Sequence, residues 1–353
     1  MTRTSLNTEP SARARPGVDR SGVANHHRLS QRRLAALYGP IHEELARFEE
    51  ILRAELRSDY PVVDELVKHG FRLGGKRLRP ALLLLSANAV GPVKHEHLVL
   101  SAVVEMIHTA TLVHDDVLDD ARLRRHLDTV NARWGNQTSE LLGDYLFTHA
   151  FYLASTLEST FACRAIGRAT NTVCEGELRQ INSQGRFSLS EAEYLGIIEA
   201  KTAELCSCAC RLGAHYAGGA AAAEESLSRY GRFLGIAFQI VDDLLDLEGD
   251  EATTGKSLGT DLAQRKPTLP LIRLWELSDE AQRGELVAII ERSDQHRREA
   301  LLPWFESAAA LEYARQSAAG YAEKARAELG ALAPSPARNV LKQLTEFVIQ
   351  RRD

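Results

Sequence analysis

The pentapeptide Asp-Asp-x-x-Asp occurs twice in this chain, and that repetition restricts its possible folds more than any other feature. The first copy is Asp115, Asp116 and Asp119 in LVHDDVLDDARLRR, and the second is Asp242, Asp243 and Asp246 in FQIVDDLLDLEGD. Both lie in apolar stretches of helical spacing, where carboxylates are costly to bury unless something cationic meets them. On a helix, residues i and i+4 share a face and i+1 stands on its shoulder, so each copy projects its carboxylates into one patch. If the two patches face each other, all the carboxylates surround one cavity. Hard divalent cations that stay partly hydrated and bridge to substrate phosphates use such a ligand set, and Mg²⁺ is the usual occupant. In outline the pair is a metal–diphosphate site.

The remaining sequence is compatible with a helical shell around that cavity. From about Leu34 onward, HEELARFEEILRAEL, AVVEMIHTATLVHDDVL, SELLGDYLFTHAFYLASTL and LSRYGRFLGIAFQIVDDLLDL carry apolar residues every three or four positions. No alternating β-branched runs bounded by tight hairpin turns are present, so no sheet is expected. The breaks between helical stretches are short, which favours one all-α domain over residues 34–353 around a deep central cavity. Residues 1–33 read as a disordered polar, basic tail, since their Arg, Ser, Pro and Gly content offers little to bury. Residues 1–36 hold seven Arg and two acids, so the net charge of −5 conceals an acidic body. A body of that sign is a poor host for nucleic acid.

No run of eighteen apolar residues occurs, so no transmembrane segment is expected. The start lacks the apolar core of a secretory signal. Five cysteines (Cys163, Cys174, Cys206, Cys208 and Cys210) form no disulfide scaffold. CSCAC reads as small buried thiols at a helix contact, and a reduced, cytoplasmic setting is expected.

Acids alone do not define a phosphate site, so the cations matter. Lys76, Arg77 and Arg79 follow Gly74-Gly75, where the backbone can come close and a Lys charge plus an Arg fork suits a diphosphate. The same cluster also reads as a basic helix-entry loop. Arg124 and Arg125 follow the first acidic copy closely enough to meet a phosphate that its metals hold. Lys201-Thr202 interrupts an apolar helix, where a Lys is unusual unless it pairs with an anion. Lys256 and Lys266 follow the second copy, and Gln239 stands four residues before Asp243. An isolated acidic pentapeptide could be a solvated helix face. Two copies in apolar helices, each followed by bases, favour the site.

On GGKRLRP (74–80), IHTATLVHDDVLDDARLRR (107–125), GDYLF (143–147), GELRQI (176–181), KTAEL (201–205), FQIVDDLLD (238–246) and GKSLGTDLAQRKPTLPLI (255–272), the chain resembles the trans-isoprenyl diphosphate synthases, the polyprenyl synthetase family. The resemblance implies an all-α isoprenoid-synthase bundle, a homodimer, and three Mg²⁺ held by Asp115, Asp119 and Asp242 with an allylic diphosphate. Asp116, Asp243 and Asp246 would support them. It further implies that Lys76, Arg79, His108 and Arg125 hold isopentenyl diphosphate, and that Arg124, Lys201, Thr202, Gln239, Lys256 and Lys266 serve the allylic substrate. On the residues alone, His108 is equally a satisfied core histidine.

The growing chain is expected to run along the helix of the first copy, past Ala110 and Thr111. Family members with short products place bulky residues there; small ones favour growth past C20, with the resemblance implying products of roughly C30–C50. Ala110→Phe is then expected to shorten the product. The sequence departs from the family at His126-Leu127-Asp128-Thr129 (commonly Gly-x-Pro-Thr after the arginine pair), at Ser139-Glu140, and at Arg265, where Gly is typical. Asp128 could compete for the neighbouring arginines. A terpene cyclase usually lacks the second aspartate motif, and a non-catalytic subunit generally loses one; this chain keeps both.

Overall fold

Apolar residues occupy almost every face of His95–Leu118, and such a helix is stable only when surrounded by protein. The computed structural model, which describes residues 34–73, 75–125, 127–249, 258–292 and 296–351, places this helix at the centre. Before it come turns at 34–37 and Gly39–Ile41 and helices α1 (His42–Glu55), α2 (Pro61–Arg72) and α3 (Leu78–Val90); His95–Leu118 is α4. A two-stranded hairpin follows, β1 (Leu123–Arg124) and β2 (Leu127–Asp128), then α5 (Val130–Trp134), α6 (Asn136–Ser155), α7 (Phe161–Ser183) and α8 (Glu191–Ile198). A π-helical turn (Glu199–Ala203) joins α8 to α9 (Glu204–Tyr216), and α10 (Ala221–Glu248) carries the second aspartate copy. The chain closes with α11 (Thr260–Ala263), α12 (Leu269–Leu277), α13 (Glu280–Ile290), α14 (Arg297–Ser307), α15 (Ala310–Glu328) and α16 (Pro336–Ile349).

Local chemistry sets several of these boundaries. Pro61 and Pro336 open their helices where a missing N–H costs nothing. Ser190 caps α8, accepting from the Glu193 backbone while Glu193 reaches back to Ser190. The all-α expectation holds. The hairpin is one small addition: its register, Arg124 opposite Leu127, gives β-structure too short to leave an alternating pattern.

Helix α4 packs against α3, α6 and α9, and α10 packs against α9 and α15. One apolar core gathers α1–α7 and α9, including Leu82, Leu85, Met106 and Leu146; a second gathers α8 and α12–α15, including Ile272, Leu301 and Phe305. Both cores take residues from α10, and Tyr321 packs against both. By length and composition α4 could cross a membrane, but 78% of its most apolar window is buried inside this bundle, so it is a core helix. The five cysteines are free thiols; Cys206, Cys208 and Cys210 are buried, as CSCAC suggested. Residues 1–33, Gly74, His126 and Lys256 lie outside the described residues.

Candidate active site

A cavity of about 1540 Å³ opens between α4, α7, α8 and α10. From the first aspartate copy Asp115 and Asp119 line it, and from the second Asp242 and Asp243. The two copies therefore converge on one space. Asp116 and Asp246 stand behind the wall, each 1% exposed, and are used by the protein itself. Asp116 Oδ1 accepts from Arg124 Nε at 2.9 Å and pairs with Nη2 at 2.8 Å. Asp246 accepts from Thr260 Oγ1 at 2.7 Å and from the Asp261 N–H at 3.1 Å, tying the start of α11 to α10. The first four carboxylates border the cavity and the other two brace what surrounds it.

The π turn accounts for Lys201 and Thr202. One extra residue in the helical turn, a feature often found at functional sites, re-aims neighbouring side chains. Lys201 Nζ lies 2.5 Å from Glu177 Oε2, donates to Gln180 Oε1 at 2.7 Å, and is 3.8 Å from Asp115 Oδ1. Thr202 Oγ1 donates to Gln239 Oε1 at 2.8 Å; Gln239 Nε2 donates to Asp243 Oδ1 at 2.8 Å, and the Tyr194 hydroxyl to Asp243 Oδ2 at 2.6 Å. Two adjacent residues thus reach the two acidic motifs, Lys201 directly and Thr202 through Gln239. Lys266, 8% exposed, closes the other side with Nζ 3.1 Å from Asp119.

Burial is the main cause that raises the Asp115 carboxyl to about 6; Lys201 opposes it, while Glu177 and Asp119 add repulsion. Burial likewise raises Asp243 to about 6 against the hydrogen bonds of Tyr194 and Gln239. Among the described residues no three acids or imidazoles come close enough to grip an ion unaided. The ammonium groups of Lys201 and Lys266 stand among the acids instead. Oxygen donors that are desolvated, mutually repelling and held apart fit divalent cations whose remaining sites are filled by phosphate oxygens and water.

Opposite the acids lies a cationic wall. Lys76, Arg79, His108, Arg124 and Arg125 all line the cavity. Burial drives His108 well below its ordinary value, and Arg79, Arg124, Arg125 and Arg77 push the same way, so it faces the cavity neutral. The Nε of Arg79 is buried without a hydrogen-bond partner, a donor matched to an incoming anion. Arg125 lies directly over Gly75: a Cβ there would fall 2.1 Å from its Nη2. Gly75 is what lets the two basic segments meet. Gly75→Ala is therefore expected to fold normally, because a flexible guanidinium gives way, and to raise KM for a diphosphate substrate by about ten-fold, as for a lost charge-assisted contact. Unchanged kinetics would show that Arg125 is not needed in that place.

Ala110 corrects an expectation. It is fully buried and absent from the cavity wall, whereas Thr111 lines it together with His108, Leu112 and Asp115. The α4 face toward the cavity runs through 108, 111, 112 and 115, and 110 lies off it. Arg265 has φ +54°, and its carbonyl accepts from Gly185; a left-handed residue explains why Gly is typical there. Ser139 is buried and donates to Val113 O, while Glu140 is exposed and its carbonyl faces His114. The site also contains residues that the sequence reading passed over. Tyr194, Glu177 and Glu105 belong to it, and so does Arg351, which lies 3.5 Å from Asp242 and over the Phe238 ring. Glu105 had an available signal, an acid alone in an apolar helix; the π turn had none.

A helical bundle enclosing opposed carboxylate and guanidinium clusters is the architecture of an enzyme that handles diphosphates with cations. Residues 60–302 match the family described as polyprenyl synthetase, and the chain belongs to that family of prenyltransferases. It is 36% identical over 310 residues to the octaprenyl diphosphate synthase of Escherichia coli K12, covering 88% of this chain and 96% of that protein. It is also 36% identical over 316 residues to the all-trans-nonaprenyl-diphosphate synthase (geranyl-diphosphate specific) of Rhodobacter capsulatus, covering 89% and 97%. Among solved structures, the polyprenyl synthase of Caulobacter crescentus, complexed with calcium and isoprenyl diphosphate, superposes with a TM-score of 0.86. That pair is 35% identical, covering 91% of this chain and 98% of the other.

Proposed function

We propose that this chain condenses isopentenyl diphosphate with an allylic diphosphate to give an all-trans polyprenyl diphosphate longer than C20. The observation that carries the reading is that Lys201 reaches the first aspartate motif and Thr202, through Gln239, the second, within one cavity that also holds the arginine wall. Asp115, Asp119 and Asp242 would hold Mg²⁺, three ions by family likeness; Asp116, Asp243 and Asp246 would brace that set. The metal, when bound, supplies positive charge to the allylic diphosphate as it leaves.

Arg124, Lys201, Thr202, Gln239, Lys266 and, by likeness, Lys256 would orient that diphosphate. Lys76, Arg79, His108 and Arg125 would place isopentenyl diphosphate beside it. The allylic C–O bond breaks, and the alkene of isopentenyl diphosphate forms the new C–C bond. One proton then leaves, with the departing diphosphate within reach to take it. Phe147 and Val173 line the apolar part of the cavity and keep water from the cation. Thr111 leaves room for the growing tail, in keeping with the long-chain products named for its relatives. The working unit is a homodimer of one catalytic domain, residues 34–353, acting in the cytoplasm and releasing product to a membrane.

Purified protein with Mg²⁺, labelled isopentenyl diphosphate and C10, C15 or C20 starters is expected to yield dephosphorylated products longer than C20. Recovery of the starter alone, or of a cyclised starter, would sink this reading.

The raised carboxyls give a pH prediction. Between the ordinary 3.8 and about 6, the folded protein keeps protons on Asp115 and Asp243 that the unfolded chain has released. The metal-free protein therefore loses stability as pH rises through that window. Divalent binding needs the ionised forms, so the rise in melting temperature caused by Mg²⁺ with diphosphate is expected to shrink as pH falls from 7.5 to 5. An increment independent of pH would mean that ionisation of these two carboxylates plays no part in binding the metal.

A further inference from the structure

Glu105 is 1% exposed on α4, one turn before His108. A carboxylate at that depth is costly unless it is paired. Among arginines that meet a diphosphate, an uncompensated acid would also repel the substrate. Its partner is Arg77, whose Nη1 donates to Glu105 Oε1 at 2.5 Å while its Nε donates to Glu49 Oε1 at 2.8 Å.

Arg77 has φ +51° and stands at the N-cap of α3. The left-handed region is unfavourable for a residue that bears a side chain, so something must hold Arg77 there. The two acids, one on α1 and one on α4, hold its guanidinium from both sides. The Tyr38 hydroxyl adds a third tie, donating to Lys76 O at 3.3 Å. Lys76 and Arg79, which flank Arg77, line the cavity. The charge of Glu105 also acts on Arg125, which rests over Gly75 in the same loop.

We infer that Glu105 is a positioning residue: through Arg77 it fixes the left-handed turn that presents Lys76 and Arg79 to isopentenyl diphosphate. This rests on the reading of residues 75–79 as the subsite for that substrate.

Glu105→Gln preserves shape and removes the charge. It is expected to raise KM for isopentenyl diphosphate about ten-fold and leave KM for the allylic starter within about two-fold, the split of a displaced subsite. Arg77→Gly accepts the backbone angle but loses both ties, and it should give the same split. Adding Glu105→Gln to Arg77→Gly should bring no further loss. Glu49→Gln, on a less buried partner, should shift the same KM by about three-fold. A folded Glu105→Gln enzyme with unchanged KM, or with both KM values raised alike, would overturn the inference. If that variant does not fold, unchanged KM in both Arg77→Gly and Glu49→Gln overturns it. If the unmutated protein elongates no starter, the functional reading fails instead. Calorimetric binding of isopentenyl diphosphate to the Arg77→Gly variant and the parent then decides the inference, equal affinities overturning it.

Discussion

Asp115→Asn is expected to lower the condensation rate by about 10²–10³-fold or more, as for loss of one electrostatic contact to a leaving group, while the protein melts no earlier than the parent. The separation of the two effects follows from its surroundings. Asp115 faces the cavity beside Lys201 and close to Glu177, and burial makes its charge unfavourable in the metal-free fold. A neutral amide removes that penalty at pH 7.5 and removes the charge that the proposed metal site needs. Asp116→Asn should behave differently, because it removes the charge that balances the half-buried Arg124 guanidinium and costs about 1–3 kcal/mol of stability along with activity. Kinetics and thermal melts on the pair test this. Equal melting losses for both variants would mean that Asp115 is structural.

Thr111→Phe is expected to cut the main product to C20 or shorter. Thr111 lines the cavity, its hydroxyl donating to His108 O at 2.8 Å, and it precedes Asp115 by one turn, about 6 Å deeper at the rise of an α-helix. A ring there fills the path of the tail while the diphosphate contacts stay in place. The first condensation should therefore keep its rate within a few-fold. Ala110→Phe, at a fully buried site off that wall, is expected to lose about 1–3 kcal/mol of stability by overpacking before it alters length. Chromatography of dephosphorylated products, with melts of both variants, checks the contrast. An unchanged product from Thr111→Phe would take the tail elsewhere.

The helices and the cavity were legible because their causes are local. Apolar residues every three or four positions require a buried helical face, and doubled acids in such faces require a cationic guest. Lys201 was legible for the same reason, as a charge misplaced in an apolar helix. The rule applied to Lys201 applies equally to Glu105, which shows that the signal was available there too. Other features depend on tertiary contacts that leave no period. Arg351 reaches Asp242 only because α16 ends at the cavity, and the turn around Lys201 has the same residue types as an ordinary helix. Ala110 and Thr111 are neighbours in sequence, and only the rotation of α4 within the bundle separates wall from packing.

The extra residue in that turn is held by what its neighbours lack. A Cβ on Gly176 would lie 2.6 Å from the Lys201 amide nitrogen, and one on Gly235 would lie 2.5 Å from the Ala203 Cα. Neither glycine borders the cavity, yet a single methyl at either would push the offset segment bodily and swing an ammonium away from its target. The reach of Lys201 is thus set from outside the chamber, by two absent carbons acting as a spacer gauge.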